Sequence, residues 1–308
     1  MRQPLISIIV PAYKSDYLKE CMDSIVSQSY EDWQLVLVDD HSPYDLDSII
    51  GQYNDPRIVY RKREEGFGSS RLVDNWNDCF NDVTGDFVMN MGDDDILLPG
   101  CLEEYVRLIE KYPDVDVFHG WTEIIDETSH IKEMCPQHPE LESVYAFIQR
   151  IMNGEPLFIG DVLIRTERLA HIGRYQQFPL AWHSDHITAY AAAREHGVAG
   201  TSIPVFGYRK HSRTISLSQH NIKTKLEADA MAFDWYADFL SGVKPSPTDQ
   251  AICLCLLDTL PHLFEKKLCQ DISTGCSHRP WKVLTYWPFM QHHKLGLKSL
   301  LKAMAYSI

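Results

Sequence analysis

The chain is 308 residues long, 44% hydrophobic and 23% charged, a composition that is typical of a folded globular protein and argues against general disorder. At this length it can bury a full core, either as one large domain or as a domain with an appendage. The formal net charge of −14 at pH 7 excludes nucleic acid as a general partner, because neutralising phosphates requires a basic face.

Strand and helix patterns alternate over the first 91 residues. Buried strands are predicted within residues 5–13, 33–40, 57–63 and 85–91, and helices within residues 15–28, 45–53 and 69–80. This alternation indicates βαβ units and a parallel sheet that is covered on both faces. Ligands of such sheets bind beyond the carboxyl ends of the strands. We therefore expect a ligand site at the loops that begin at Pro11, Asp39 and Asp93.

The pattern changes after about Val115. Extended segments are predicted at residues 114–126 and 198–211, a strand running into a helix at 160–173, and a helix at 184–197. After about residue 220 the pattern is mainly helical. The prediction is an α/β domain over residues 1–220 and a helical C-terminal extension over residues 221–308.

Three adjacent carboxylates, Asp93, Asp94 and Asp95, follow the strand predicted at 85–91. Like charges side by side need water, a cation or the donors of a ligand. A few oxygen ligands in an open site suit Mg²⁺ or Mn²⁺ held jointly with a diphosphate. The alternative is a solvated acidic turn before the helix that follows. The sequence alone leaves both interpretations open.

The pair Asp39 and Asp40 also follows a predicted strand. A carboxylate at this place can accept hydrogen bonds from a base or a ribose, or it can cap the next turn. No Gly-x-Gly-x-x-Gly follows the first strand, and no Gly-x₄-Gly-Lys-Ser/Thr is present. Both dinucleotide binding and P-loop phosphate transfer are therefore disfavoured.

Taken together, these segments resemble the family 2 glycosyltransferases, which have the GT-A fold, a Rossmann-like and mostly parallel sheet flanked by helices. The resemblance rests on "SIIVPAYKSDYLKECMDSIVSQSYEDWQLVLVDDHS", "GSSRLVDNWNDCF" and "GDFVMNMGDDDILLPGCL", and it extends over roughly residues 4–215. It implies an inverting transfer of a sugar from a nucleotide-sugar donor, most simply a UDP-sugar, to a saccharide or lipid-linked saccharide. The setting it implies is the synthesis of surface polysaccharide or another glycan.

The resemblance also implies roles for individual residues. It places the donor against Pro11, Ala12, Tyr13, Asp39, Asp40, Arg71, Asp93 and Asp95. Among these residues, Asp39 and Asp40 would accept from the base, and Arg71 would approach the diphosphate. The divalent metal, Mn²⁺ or Mg²⁺, would be held by Asp94 with Asp93 and His211. Because Gly92 replaces the first acid of the commoner D-x-D-D pattern, the aspartate that contacts the metal is left open.

The catalytic base implied by the resemblance is Asp185, within "AWHSDHITAY". An acceptor hydroxyl is a poor nucleophile, and a nearby carboxylate can take its proton as the new bond forms. The alternative is that Asp185 only caps the helix that follows, and that His183 and His186 are substrate or surface residues. Arg209, Lys210 and Arg213, in the segment similar to the family's Tyr-Arg-x-His, would add positive charge for the leaving diphosphate.

The C-terminal segment differs from the rest in charge. Between Ile272 and Ile308 there is no acidic residue, and the basic residues are Arg279, Lys282, Lys294, Lys298 and Lys302. Helical spacing puts Leu297, Leu300, Leu301 and Met304 on one side, which predicts a basic amphipathic helix for an anionic membrane surface. The alternative is a helix docked on the catalytic domain.

Several features together predict a cytoplasmic protein. A location at the cytoplasmic face of a membrane is a second form of the same prediction. The eight cysteines form no Cys-x-x-Cys pair, and the N-terminus reaches Pro11 too early for a signal peptide. No apolar run is long enough to span a bilayer. Two other functions remain as alternatives, a sugar nucleotidyltransferase and a non-catalytic glycan-binding or nucleotide-sugar-binding module.

Overall fold

The computed structural model describes residues 2–211, 221–242, 245–276 and 279–307. The chain forms two compact units. The first contains residues 2–177 and 184–211, and the second contains residues 178–183 and the described residues from 221 onward. No helix in the described ranges is both long and apolar enough to cross a bilayer.

The strands of the described residues belong to one sheet. In chain order they are β1 (Ile6–Ala12), β2 (Trp33–Asp39), β3 (Ile58–Lys62), β4 (Phe87–Asn90), β5 (Ile96–Leu97), β6 (Val117–Ile125), β7 (Ile131–Met134), β8 (Leu141–Glu142), β9 (Val162–Arg165) and β10 (Val198–Arg209).

The α-helices of the described residues follow the strands in the first unit and make up most of the second. They are α1 (Leu18–Val26), α2 (Asp47–Ile50), α3 (Leu72–Cys79), α4 (Cys101–Lys111), α5 (Val144–Met152), α6 (Thr166–His171), α7 (Ser184–Ala192), α8 (Ile222–Ser241), α9 (Gln250–Cys276), α10 (Trp287–His292) and α11 (Leu297–Tyr306).

The sheet has the strand order β3-β2-β1-β4-β9-β6-β10-β5, with β7 beside β6 and β8 beside β10. Strands β3, β2, β1 and β4 are parallel, and in the register Ile6 of β1 lies opposite Trp33 and Phe87. Strand β9 is antiparallel to both β4 and β6, so the second half of the sheet is mixed. The parallel half delivers the ends of β1, β2 and β4 to one edge.

Strand β1 lies at the centre because its residues are apolar on both faces. Ile6, Ile8, Val10 and Ala12 are fully buried and pack into the core of the first unit with α1 and α4. A central parallel strand covered on both faces requires such a continuous apolar run. The rigid strand fixes the position of the loop that starts at its carboxyl end.

The second unit has its own core, and residues 178–183 belong to that unit. Leu180, Ala181 and His183 have positive φ angles of 59°, 57° and 69°, a conformation that is costly for residues with a Cβ. Buried Asp229 of α8 holds the segment, because its Oδ1 accepts the Nε1–H of Trp182 at 3.0 Å and lies 2.7 Å from Nε2 of His183.

Candidate active site

The loops after β1 and β4 meet through Asp93. Its Oδ2 accepts the backbone N–H groups of Tyr13 and Lys14, each at 2.7 Å. Burial, together with the charge of Asp94, raises the pKa of Asp93 to about 6. Asp93 therefore fixes the shape of the loop that begins at Pro11, and its contact with the donor stays a prediction.

Asp94 has two polar partners on a single oxygen. Its Oδ2 lies 3.1 Å from Nζ of Lys14 and 2.8 Å from Nε2 of His211. Burial alone would raise the pKa of Asp94, but the charge of Lys14 and the hydrogen bond from His211 outweigh burial and lower that pKa. Asp94 is thus an ionised carboxylate that faces two nitrogen groups.

Asp95 points in another direction. It is buried, and its Oδ1 accepts the backbone N–H of Arg209 at 2.9 Å. Burial and the neighbouring charge of Asp94 raise the pKa of Asp95 well above its ordinary value. This contact ties the turn after β4 to the end of β10, and a donor contact for Asp95 stays a prediction.

The side chain of Arg209 connects three segments of the first unit. Its side chain is fully buried, its Nε donates to the carbonyl of Asp94 at 2.7 Å, and its Nη2 lies 2.8 Å from Oε2 of Glu20. Its Nη1 donates to the carbonyl of Asp126. The expectation that this guanidinium meets the leaving diphosphate is therefore wrong, because its donors are already bound inside the protein. Arg213 lies outside the described residues.

Gly92 explains the departure from the D-x-D-D pattern. A Cβ at this position would lie 2.6 Å from Oδ1 of Asp94 and 3.1 Å from Oδ2 of Asp95. A side chain here would push against the carboxylate that faces His211. Glycine is therefore the residue that leaves Asp94 in its observed orientation.

The described side chains around Asp94 offer few ligands for a divalent metal. In the described part of the chain, no three His, Cys, Asp or Glu side chains converge as they would around a metal ion. Asp94 Oδ2 and His211 Nε2, 2.8 Å apart, nevertheless offer one oxygen and one nitrogen donor. Two protein ligands suit an ion that takes its other ligands from phosphate oxygens and water. The residues fit a metal shared with a diphosphate, and Lys14 contacts the same oxygen.

Asp39 lies at the end of β2, and only one of its two carboxylate oxygens accepts a hydrogen bond from the described residues. Its Oδ1 accepts the backbone N–H of Ser42 at 2.7 Å, and the hydroxyl of Ser42 donates to the carbonyl of Tyr13 at 2.6 Å. Oδ2 of Asp39 is buried and has no hydrogen-bond partner among the described residues, with Nζ of Lys62 3.6 Å away. A buried carboxylate oxygen that lacks a hydrogen bond is costly, and a ligand donor would satisfy it.

Asp40 has a structural environment. One of its oxygens lies 2.8 Å from Nη1 of Arg63, and its carboxylate accepts the backbone N–H groups of Phe67 and Gly68 at 2.9 and 3.0 Å. Asp40 thereby shapes the loop before α3. Both carboxylate oxygens of Asp40 already accept hydrogen bonds within the protein, so the structure does not support its predicted contact with the nucleotide base. The residue nevertheless lies directly beside Asp39.

Arg71 lies on the same loop, immediately before α3. Its guanidinium lies 4.6 Å from the ring centre of Phe67, and its Nε donates to Asp74 at 2.7 Å. The side chain is 59% exposed, so it can leave this surface ion pair at little cost. Its predicted approach to a diphosphate stays a prediction.

Asp185 is the second residue of α7 and not the residue before it. The side chain is partly exposed, and its Oδ1 accepts the N–H of His186 at 2.8 Å. His183 and His186 have separate partners, Asp229 and the carbonyl of Leu157, so they do not form a metal pair. The N–H of His186 is thus bound to one of the two oxygens of Asp185, and the base role stays a prediction.

A second polar cluster surrounds Asp161, which sequence reasoning did not identify. Its Oδ2 accepts the hydroxyl of Thr122 at 2.8 Å, and Nε2 of His119 lies 3.5 Å from Oδ1. Burial raises the pKa of Asp161 to about 8, with the charge of Asp185 as a smaller contribution. Burial lowers the pKa of His119 to about 3 and that of His138 to about 4. At neutral pH the three side chains are therefore mostly uncharged.

Sequence reasoning also missed Lys14. Lys14 lies in the loop that begins at Pro11, and nothing in its neighbours along the chain indicates that its ammonium reaches Asp94, 80 residues away. The signal that could have found it is its place in the loop that starts at Pro11, because that loop faces the acidic turn at the same edge of the sheet.

The sheet and the acidic strand ends define a GT-A α/β protein. A family model described as "Glycosyl transferase family 2" matches residues 7–161, about half of the chain. The chain belongs to glycosyl transferase family 2, as its resemblance predicted.

Relatives and solved structures agree with this assignment. The chain is 32% identical over 152 residues to an uncharacterized glycosyltransferase of Methanocaldococcus jannaschii, covering 47% of this chain and 51% of that protein. It spans about half the length of the first curated relatives it matches.

Two solved structures share the fold. Staphylococcus aureus TarS 1–349 in complex with UDP-GlcNAc aligns with a TM-score of 0.67 at 14% identity, over 98% of this chain and 90% of that one. The Pyrobaculum calidifontis mannosyltransferase PcManGT in complex with GDP-Man and Mn²⁺ aligns with a TM-score of 0.55 at 15% identity, over 99% and 87%. At these identities the similarity establishes the GT-A fold alone.

Proposed function

We propose that the protein transfers a sugar from a nucleotide-sugar donor to a hydroxyl of a saccharide or lipid-linked saccharide. The observation that carries the proposal is the meeting of His211 and Lys14 on one carboxylate oxygen of Asp94, at the carboxyl edge of a parallel sheet. This edge is where such sheets bind nucleotides. Membership of glycosyl transferase family 2 supports the same reaction.

The donor base is proposed to meet Asp39. Its buried Oδ2 is an acceptor without a hydrogen-bond partner among the described residues, with the ammonium of Lys62 3.6 Å away, and it can accept an N–H group. The imino N–H of uracil is such a donor, which favours a UDP-sugar. The fold neighbour TarS, which has UDP-GlcNAc in its structure, supports this choice, and the GDP-Man of PcManGT makes guanine the alternative to be tested.

A divalent ion, Mn²⁺ or Mg²⁺, is proposed to be held by Asp94 and His211 together with the donor diphosphate. When bound, such an ion offsets the negative charge that develops on the departing diphosphate. The Mn²⁺ in the PcManGT structure supports the choice of metal. Because Lys14 contacts the same oxygen of Asp94, its ammonium competes with the ion for that oxygen.

The proposed chemistry is a single displacement with inversion. The acceptor oxygen forms a bond to the anomeric carbon while the bond from that carbon to the diphosphate oxygen breaks. The electron pair of the broken bond leaves with the nucleoside diphosphate, and the acceptor proton passes to the carboxylate of Asp185. The partly exposed side chain of Asp185 in the first turn of α7 supports this role, because the residue can be reached from solvent.

Analysis of the products tests the proposal. The protein is incubated with a panel of nucleotide sugars, first in thermal-shift assays with and without Mn²⁺ and then in turnover assays. Release of free nucleoside diphosphate is expected. Release of pyrophosphate would instead indicate a nucleotidyltransferase, and donor binding with neither transfer nor hydrolysis would indicate a binding module.

A further inference from the structure

Helix α11 has an apolar side that is only partly buried. Leu300 and Ala303 pack into the core of the second unit, and Met304 packs against that core. Leu297 and Leu301 are 64% and 58% exposed. The four large apolar residues lie within about 100° around the helix axis and so share one side, as the sequence predicts, but the core covers only Leu300 and Met304 while Leu297 and Leu301 stay exposed.

The exposed side carries positive charge. Leu297 and Leu301 are spaced i, i+4 and so lie on one face of α11. Lys298 follows Leu297 by one residue, or about 100° around the helix axis. Lys294 and Lys298 are exposed. We call Lys294, Leu297, Lys298 and Leu301 the basic apolar face.

The neighbouring 3₁₀ segment, Pro280–Tyr286, shows the same combination. It packs against α11 and buries Val283 in the core, yet Trp281 and Leu284 are 63% and 56% exposed. Helix α11 and the 3₁₀ segment thus both bury some apolar side chains in the core and expose other large ones to solvent. Exposed apolar groups of this kind mark interaction sites.

The charge of the C-terminal segment indicates which kind of partner binds the basic apolar face. The segment from Ile272 to Ile308 contains five basic residues and no acidic one, in a chain whose net charge is −14. A segment with basic residues only and with exposed leucines and a tryptophan matches the negative surface of an anionic bilayer. A protein partner would more often require charges of both signs. We propose that the basic apolar face binds the surface of an anionic membrane.

Binding to vesicles by the full-length chain tests the proposal. Phosphatidylcholine vesicles with and without phosphatidylglycerol are floated with the protein at low and high salt. Binding is expected only to the vesicles that contain phosphatidylglycerol, and it should weaken with salt. Replacing Lys294 and Lys298 by Gln should weaken binding about fivefold for each lysine. Replacing Leu297 and Leu301 by Ser should weaken it on the order of tenfold or more.

Matched controls come from α9. Leu254 is 60% exposed and Lys266 is exposed, and both lie outside the charged segment. Leu254→Ser with Lys266→Gln should leave vesicle binding unchanged. All substitutions are at exposed positions, and unchanged thermal unfolding shows that the fold is kept.

Three results would overturn the proposal. They are no binding of the full chain to anionic vesicles, equal binding by the face variants and the wild type, and concentration-dependent self-association that the leucine substitutions abolish. The last result would make the face an interface between copies of the chain. Each of these outcomes is independent of sugar transfer, which is measured separately with soluble acceptors.

Discussion

Nζ of Lys14 lies 3.1 Å from Oδ2 of Asp94, and both side chains are mostly buried. A cation from the protein thus contacts the carboxylate that is the best candidate ligand for a divalent ion. This arrangement predicts competition between the ammonium and the metal. It also keeps Asp94 ionised before any donor arrives.

Removing the Lys14 charge should strengthen metal binding. In Lys14→Met, Oδ2 of Asp94 no longer holds an ammonium that the metal must displace. Charge-assisted hydrogen bonds contribute about 1.5–3 kcal/mol, so we expect Mn²⁺ to bind about tenfold more tightly. Electron paramagnetic resonance of free Mn²⁺ measures this without turnover. Lys19→Met, at an exposed lysine paired with Asp23, is the control and should not change the affinity. Weaker Mn²⁺ binding by Lys14→Met would contradict the competition.

Replacing the proposed base should stop transfer while donor binding persists. Asp185→Asn keeps the shape of the side chain and the acceptor for the N–H of His186, but it cannot take a proton. We expect kcat to fall by about 10²–10⁴ with the shift in melting temperature caused by the donor unchanged. Glu195→Gln, at an exposed acid beyond the end of α7, is the matched control. Near-native turnover by Asp185→Asn would show that another group is the base.

The buried Asp161 should make stability depend on pH. Its pKa is near 8 in the folded chain and about 4 in an unfolded one. Between these values the folded protein keeps a proton that the unfolded chain has lost, so the free energy of unfolding falls as pH rises. Asp161→Asn does not titrate and should gain stability over the wild type from about pH 5 to pH 8, by up to ~1.4 kcal/mol per pH unit.

Urea unfolding at several pH values measures this difference. The pKa values of His119 and His138, near 3 and 4, lie below the window, so both stay neutral in the folded protein, and their titration in the unfolded chain is common to the variant and the wild type. Arg150, Glu155 and Asp185 are the other charged groups near Asp161. Stability curves that run parallel for the variant and the wild type would show that Asp161 does not retain its proton.

Asp229 should stabilise the segment 178–183. Asp229→Ala leaves the N–H of Trp182 and the ring nitrogen of His183 without their acceptor, next to a backbone that is already strained. We expect the free energy of unfolding to fall by about 3 kcal/mol. Asp238→Ala, at an exposed position of the same helix, is the control. A loss no larger than that of the control would mean that Asp229 does not hold the segment.

The edge of the sheet that carries the site could be predicted from the sequence. Apolar runs followed by acids at Asp39 and Asp93 indicate parallel strands that end together, and β1, β2 and β4 do so. The position of β9 between β4 and β6 could not be predicted, because it depends on pairing between distant segments.

The orientation of each aspartate after β4 was also beyond the sequence. Asp93 is fixed by N–H groups 79 and 80 residues away, and Asp95 by an N–H 114 residues away. The same holds for the C-terminal helix, where periodicity gives apolar positions but only packing shows that Leu300 is covered and Leu301 is not.

The most direct test of the account is a crystal structure of the protein with Mn²⁺ and UDP, recorded at a wavelength where manganese scatters anomalously. The account predicts an anomalous peak bonded to Oδ2 of Asp94 and Nε2 of His211, bridging to the diphosphate, with Lys14 moved off Asp94 and the uracil N–H donating to Asp39. An ordered UDP at this edge without manganese beside Asp94, or an edge that binds neither, would contradict it.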